Sequence, residues 1–133
     1  MSDATPRLSQ IVYVSRALIA DDGRALDAIR RVSQARNAAA GVTGVLFYDG
    51  DRFAQVLEGP WDATSLLLET IRHDPRHFDV RVLRDAPTRA RRFSTWSLRM
   101  LDGAQAPGLE LLLARERPSP ALAIELTERL AGI

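Results

Sequence analysis

Two apolar runs, Val42 to Tyr48 and Arg52 to Glu58, stand on either side of Asp49-Gly50. An Asp-Gly pair between such runs selects a tight hairpin, because both residues tolerate the positive φ angles that short turns demand. The two runs are therefore predicted to pair, and the rest of the chain has to build a sheet around them. In the returning strand the period-two rule puts Phe53, Gln55 and Leu57 on one face. If that face looks into the core, the Gln55 carboxamide is buried between two large apolar side chains. A buried amide without partners costs roughly 2 to 7 kcal/mol, depending on the reference state. Gln55 needs a polar partner, and the nature of that partner is the question this sequence poses.

Upstream, Ser9 to Ser15 reads as a short strand with Ile11, Tyr13 and Ser15 on one face and Val12 and Val14 on the other. Apolar residues on both faces imply cover from both sides. Arg24 to Ala40 place Leu26, Ile29, Val32 or Ser33, and Arg36 or Asn37 at helical spacing, and Gly41 stops the helix. Ser33 and Asn37, four residues apart, form a polar strip at one end of that apolar stripe. Gly59-Pro60 is predicted to open a second helix with proline at its first helical position and Leu66, Leu67, Leu68 and Ile71 on its buried side. It is expected to end between His73 and His77.

Phe78 to Asp85 predicts a fourth strand, with Phe78, Val80 and Val82 opposed to Asp79 and Arg81. Thr95 to Leu101 predicts a fifth, with Trp96, Leu98 and Met100 on one face. The order strand, helix, strand, strand, helix, strand, strand is that of an α+β, ferredoxin-like βαββαββ sandwich. Its five-stranded mixed sheet would carry both helices on one face, leaving Val12, Val14, Ala54 and Val56 uncovered on the other. The leucine-rich remainder, Pro107 to Ile133, is expected to fold into short helices that cover this second face or a partner chain. The division is a core over residues 1–102 and a C-terminal helical extension over residues 103–133.

Composition narrows the function. A chain of 133 residues suits one domain with its own core. Eighteen basic residues, all arginine, against 17 acidic ones leave a net charge of +1, which argues against a nucleic-acid partner, and Arg89, Arg91 and Arg92 read as a solvated loop. Having no cysteine, the chain forms no disulfide, thiolate nucleophile or cysteine-ligated metal site. The N-terminal segment MSDATPRLSQ lacks the features of a signal peptide, and no apolar run reaches membrane-spanning length. The expectation is a cytoplasmic protein with no membrane partner.

In a ferredoxin-like sheet the first and third strands lie side by side at the centre, so Tyr13 and Gln55 should touch beneath the first helix, facing Ser33 and Asn37. A phenol, two carboxamides and a hydroxyl in that setting can hold a flat heteroaromatic ligand with alternating donors and acceptors, such as an isoalloxazine ring.

The strings Tyr13 to Ser15 (YVS), Ser33 to Asn37 (SQARN), Thr43 to Tyr48 (TGVLFY), Phe53 to Pro60 (FAQVLEGP), Asp74 to His77 (DPRH) and Arg91 to Leu98 (RRFSTWSL) occur in order. Together they give the chain, from about Ile11 to Met100, a resemblance to the BLUF domain, the flavin-binding blue-light sensor module. The resemblance implies a photoreceptor rather than an enzyme, with a reversible, red-shifted photocycle. Tyr13 matches the tyrosine that donates an electron and a proton, and Gln55 the glutamine whose hydrogen bonds rearrange. Asn37 matches the asparagine on the ring's polar edge, and Arg76 and His77 match positions near its pyrimidine end. Ser33 and Trp96 match the shell around the glutamine. Arg36 stands where some relatives have histidine against the flavin, and either stacks on the ring or points to solvent. Leu98 stands where many members have methionine, with Met100 at the next position on the same face.

The cofactor implied is FAD, with FMN or riboflavin admitted if only the ring is gripped. The partners implied are a downstream protein, so far unknown, and further copies of the chain in a homo-oligomer. The expected relay runs from Gln55 through the fifth strand to the C-terminal helices. If the extension serves output alone, its removal after about Pro107 should leave the photocycle intact, although baring Val12 and Val56 exposes the shortened chain to aggregation. Two rival readings use the same fold: a cofactor-free interaction module, and an acylphosphatase-like hydrolase. The second is disfavoured because the loop at residues 16–25, RALIADDGRA, is acidic and has no glycine-rich cradle.

Overall fold

The computed structural model of the chain describes residues 7–19, 23–94 and 97–133. The elements in chain order are β1 (Leu8–Ala17), α1 (Arg24–Ala40), β2 (Thr43–Tyr48), β3 (Arg52–Pro60), α2 (Trp61–Arg72), β4 (His77–Thr88), β5 (Arg99–Leu101), α3 (Leu109–Arg115) and α4 (Pro120–Ala131). The hairpin forms where the Asp-Gly pair puts it. Gly50 takes a φ of 95°, and the Asp49 carboxylate accepts hydrogen bonds from the backbone N–H groups of Asp51 and Arg52 at 2.9 and 2.7 Å. This is the local bonding that makes aspartate a turn residue.

The sheet order is β4-β1-β3-β2-β5, so β1 and β3 are central neighbours as the ferredoxin-like reading requires. They run antiparallel with Tyr13 opposite Gln55. β5 lies parallel to β2, with Phe47 opposite Leu101, which makes the sheet mixed.

Alternation along the central strands splits the core in two. On one face α2 covers Ile11, Tyr13 and Leu57 with Leu67, Leu68 and Ile71, and α1 lays Ile29 over Leu46, Tyr48, Phe53 and Leu98. On the other face Val12, Phe47, Val56 and Leu101 pack with Leu109, Leu113, Leu122, Leu126 and Leu130 of α3 and α4. The leucine-rich remainder thus closes the second face within the same chain. α4 begins with local signals: Pro120 sits at its first position and the Ser119 hydroxyl accepts from the Leu122 N–H at 3.1 Å.

Several boundaries differ from expectation. Pro60 does not enter the second helix; it stays extended at φ −54°, ψ 139°, because β3 continues to pair, Pro60 lying opposite Leu8. Leu66 is 71% exposed and Val32 57% exposed. On α2 the buried positions are Thr64 and the expected Leu67, Leu68 and Ile71, and on α1 they are Ile29 with Ser33 and Asn37 rather than the alternatives Val32 and Arg36. The predicted fifth strand shrinks to Arg99–Leu101, since Ser97 and Leu98 give their carbonyls to side chains of α1 rather than to a ladder. Thr95 and Trp96 of that prediction lie outside the described residues.

The hairpin also depends on a glycine for close approach. A Cβ on Gly44 would lie 2.1 Å from the Val56 carbonyl oxygen, a backbone atom held in the ladder that has nowhere to move. Gly44→Ala should therefore cost about 3 kcal/mol or more. Chemical denaturation of the two proteins measures the difference, and a loss under ~1 kcal/mol would show that the ladder yields.

Candidate functional site

Tyr13 and Gln55 meet as their register dictates. Both side chains are buried, and the Tyr13 hydroxyl donates to the Gln55 Oε1. Using Oε1 for the phenol leaves the amide NH2 as the donor end of Gln55. Burial pushes the Tyr13 phenol well above its ordinary value of 10.0, assisted by Asp74 and opposed by Arg36.

That shift has a sign for stability. The folded state keeps the proton where the unfolded state has lost it, so the Tyr13 contribution is complete below about pH 10 and falls as pH rises above it, by ~1.4 kcal/mol per pH unit. Denaturation between about pH 10 and 11.5 should show this slope in the parent protein and a shallower one in Tyr13→Phe. Equal slopes would mean that the phenol ionises freely in the fold.

Around this pair the apolar walls are Ile29, Leu46, Phe53 and Ile71, and the polar lining is Ser33, Arg36, Asp74, Arg76 and His77. Together they enclose a narrow cleft of about 40 Å3 between α1, α2 and the sheet. His77 is fixed from both ring nitrogens. Its Nε2 lies 2.6 Å from the Ile71 carbonyl oxygen, which only accepts, so Nε2 carries the proton. In the neutral ring Nδ1 then accepts from the Ser15 hydroxyl at 2.8 Å. The imidazole stands edge-on to both Tyr13 and Phe53.

Arg76 forks onto the Asp74 carboxylate, with contacts of 2.6 to 3.1 Å. The pair holds the Asp74 carboxyl below its ordinary range and raises the Arg76 guanidinium. Arg36, Asp74 and Arg76 also border an open groove against α2, so they form the partition between the cleft and solvent. Burial pulls the Arg36 guanidinium down, and its Nε is buried without a hydrogen-bond partner among the described residues.

Asn37 is 1% exposed. Its amide nitrogen donates to the Ser97 carbonyl at 2.8 Å, while its Oδ1 is buried without a partner among the described residues. Leu98 is buried under α1; neither it nor Asn37 lines the cleft itself. An unpaired buried amide oxygen costs about 1 to 3 kcal/mol, so it marks a place for an N–H donor. A flat ring whose polar edge alternates N–H and carbonyl groups answers both needs, giving a donor to Asn37 Oδ1 and an acceptor to Arg36 Nε. The residues present fit a flavin ring on that ground.

Two contributors escaped the sequence reading. Gln34, one turn before Asn37, donates to the Leu98 carbonyl at 3.0 Å, so two α1 carboxamides grip consecutive carbonyls ahead of β5. Glu58, fully buried, accepts from Gln10 at 3.0 Å and from the backbone N–H groups of Arg92 and Phe93 at 2.7 to 2.9 Å. Glu58 therefore anchors the near end of the same segment. Alternation already put it on the face of Ala54 and Val56, where a carboxylate has to find donors.

The fold is a ferredoxin-like α+β sandwich with a polar-edged cleft between α1, α2 and the sheet. Residues 8–99 match the model of the BLUF family, described as sensors of blue-light using FAD, and the chain belongs to that family. Its structure is similar to that of BlrB, a BLUF protein solved in the dark state, with a TM-score of 0.84 and 36% identity over 96% of this chain and 97% of that one. BlrP1 of Klebsiella pneumoniae, solved with FMN and cyclic diGMP, gives a TM-score of 0.69 at 34% identity, covering 80% of this chain and 30% of that one.

In sequence, the photoactivated adenylate cyclase subunit beta of Euglena gracilis is 40% identical over 92 residues, which is 68% of this chain and 11% of that protein. The chain thus spans only about a tenth of the length of the cyclase subunits it matches. Flavin binding and blue-light signalling to partners are properties of the family; its description names FAD, whereas the BlrP1 structure holds FMN. No helix among the described residues is long and apolar enough to cross a membrane.

Proposed function

We propose that this chain is a cytoplasmic blue-light photoreceptor that binds FAD through its ring and reports light by rearranging the hydrogen bonds of Gln55. The observation that carries the reading is the buried hydrogen bond from Tyr13 to Gln55, set beside an unpaired Asn37 oxygen. The flavin, when bound, supplies the blue absorption and an excited state able to accept an electron. The residues do the rest. A phenol of ordinary acidity is already protonated at neutral pH and burial raises it further, so Tyr13 loses its electron as a phenol. Oxidation makes the phenolic proton strongly acidic, and the bond to Gln55 Oε1 gives that proton a path to the amide. The amide then rotates or tautomerises, exchanging the acceptor and donor it presents to the ring. A new donor on a ring carbonyl would shift absorption to the red, and the return of both the electron and the proton to Tyr13 would restore the dark state.

Asn37 and Arg36 serve the polar edge of the ring, with Ser33 in the wall beside Gln55. Arg76 and His77 stand at its pyrimidine end, where a cation favours negative charge. The relay runs from Asn37 and Gln34 to the carbonyls of Ser97 and Leu98, then along β5 to α3 and α4. A sensor core over residues 1–102 would thus pass its state to the segment 103–133, and from there to another copy of the chain or a downstream protein.

The test is the absorption spectrum of purified protein supplied with FAD, before and after blue light. A yellow protein whose spectrum shifts to the red and relaxes in the dark supports the reading. Colourless protein after the same treatment would favour an interaction module without a cofactor.

A further inference from the structure

The face of the sheet away from α1 and α2 carries a hollow of about 280 Å3, where the connection between α3 and α4 crosses the ends of β1, β3 and β4. Its floor is apolar, with Val14, Leu113 and Leu122. Its rim is not. Arg16, Arg52, Arg81, Arg115 and Arg117 converge there, against two lining carboxylates, Asp79 and Glu116. In a chain whose net charge is only +1, this is a local concentration of positive charge.

The ion pairs leave a surplus. Asp51 is shared between Arg16 and Arg52 at 3.1 and 3.5 Å, and Asp79 takes Arg81 at 3.1 Å. Arg115 and Arg117 have no ion pair among the described residues. The backbone at the rim is also strained. Asp79 has a φ of 52°, at a bulge where the β4 register slips opposite β1 between Val14 and Arg16. Non-glycine residues in that region cost about 1 to 3 kcal/mol and collect at functional sites.

We infer that this hollow is a binding site for a small organic phosphate, whose phosphate group takes the Arg115 and Arg117 guanidinium groups while its carbon skeleton lies on the Val14, Leu113 and Leu122 floor. Guanidinium groups match phosphate oxygens two at a time. The volume lies just under the range of about 300 to 1,000 Å3 usual for small-molecule sites, which suits a sugar phosphate. The ligand would tie the α3–α4 connection to three strands of the sheet. The site is on the opposite face from Tyr13 and Gln55 and does not depend on flavin binding.

The experiment is calorimetric titration of the full chain at physiological salt with ribose 5-phosphate, inorganic phosphate and succinate. Ribose 5-phosphate should bind one to one and more tightly than the other two. The double variant Arg115→Ala/Arg117→Ala should weaken it at least about tenfold, equal to ~1.4 kcal/mol. The control Arg84→Ala/Arg89→Ala, on a separate arginine-lined hollow beside α4, should leave it unchanged. All four arginines are exposed, so both variants should melt like the parent. The proposal is overturned by the absence of saturable binding, by equal losses in the two double variants, or by inorganic phosphate or succinate binding as tightly as the sugar phosphate.

Discussion

Gln55→Leu should give a protein that remains yellow with flavin and shows no red shift under blue light. Leucine nearly conserves the volume between Phe53 and Leu57, so the wall of the cleft survives. What disappears is the acceptor for the Tyr13 hydroxyl and the donor end that would turn toward the ring. Leaving a buried phenol without its acceptor costs about 1 to 3 kcal/mol, so the variant should be less stable but folded. Light-minus-dark difference spectra measure the effect. A red shift of parental size in this variant would remove Gln55 from the mechanism, whereas loss of colour would make it a binding residue first.

The second large effect is expected far from the cleft. Leu126 of α4 is fully buried in the cluster that joins α3 and α4 to Val12, Phe47 and Val56. Leu126→Ala removes that side chain and leaves a cavity, a change that costs about 2 to 5 kcal/mol. For a domain of this size the melting temperature should fall by roughly 10 °C or more. Cutting the chain after about Pro107 should be worse, because it strips α3 and α4 from that cluster and exposes the whole second face. Of the two outcomes the sequence allows for a shortened chain, an intact photocycle and aggregation, this packing favours aggregation. A truncated protein that stays soluble and cycles would show that the sheet tolerates a bare face.

What was legible in the sequence was whatever alternation and turn chemistry dictate locally. The Asp49-Gly50 turn, the face shared by Phe53, Gln55 and Leu57, and the opposition of Tyr13 to Gln55 follow from period two plus one topology. What escaped were interactions whose second partner is a backbone group remote in sequence. Gln34 received no role because nothing in the helical pattern reveals the carbonyl of Leu98. Glu58 looked like the end of a strand, since its donors lie more than thirty residues away on Arg92 and Phe93. Pro60 misled for a related reason: proline suits a first helical turn, yet pairing with Leu8 held it in the strand. Leu66 and Val32 show the remaining weakness. A run of apolar residues on a helix does not say which of them loses the competition for the buried face.

β4 forms one border of the sheet and, at twelve residues, is its longest strand. A border of that length would ordinarily recruit strands from other molecules. Here the Asp79 twist, the exposed charges of Arg81 and Arg84, and Pro87, which has no N–H to offer, interrupt it. Lateral growth of the sheet along β4 is thereby discouraged, which leaves the helical surfaces as the ground on which copies of this chain could associate.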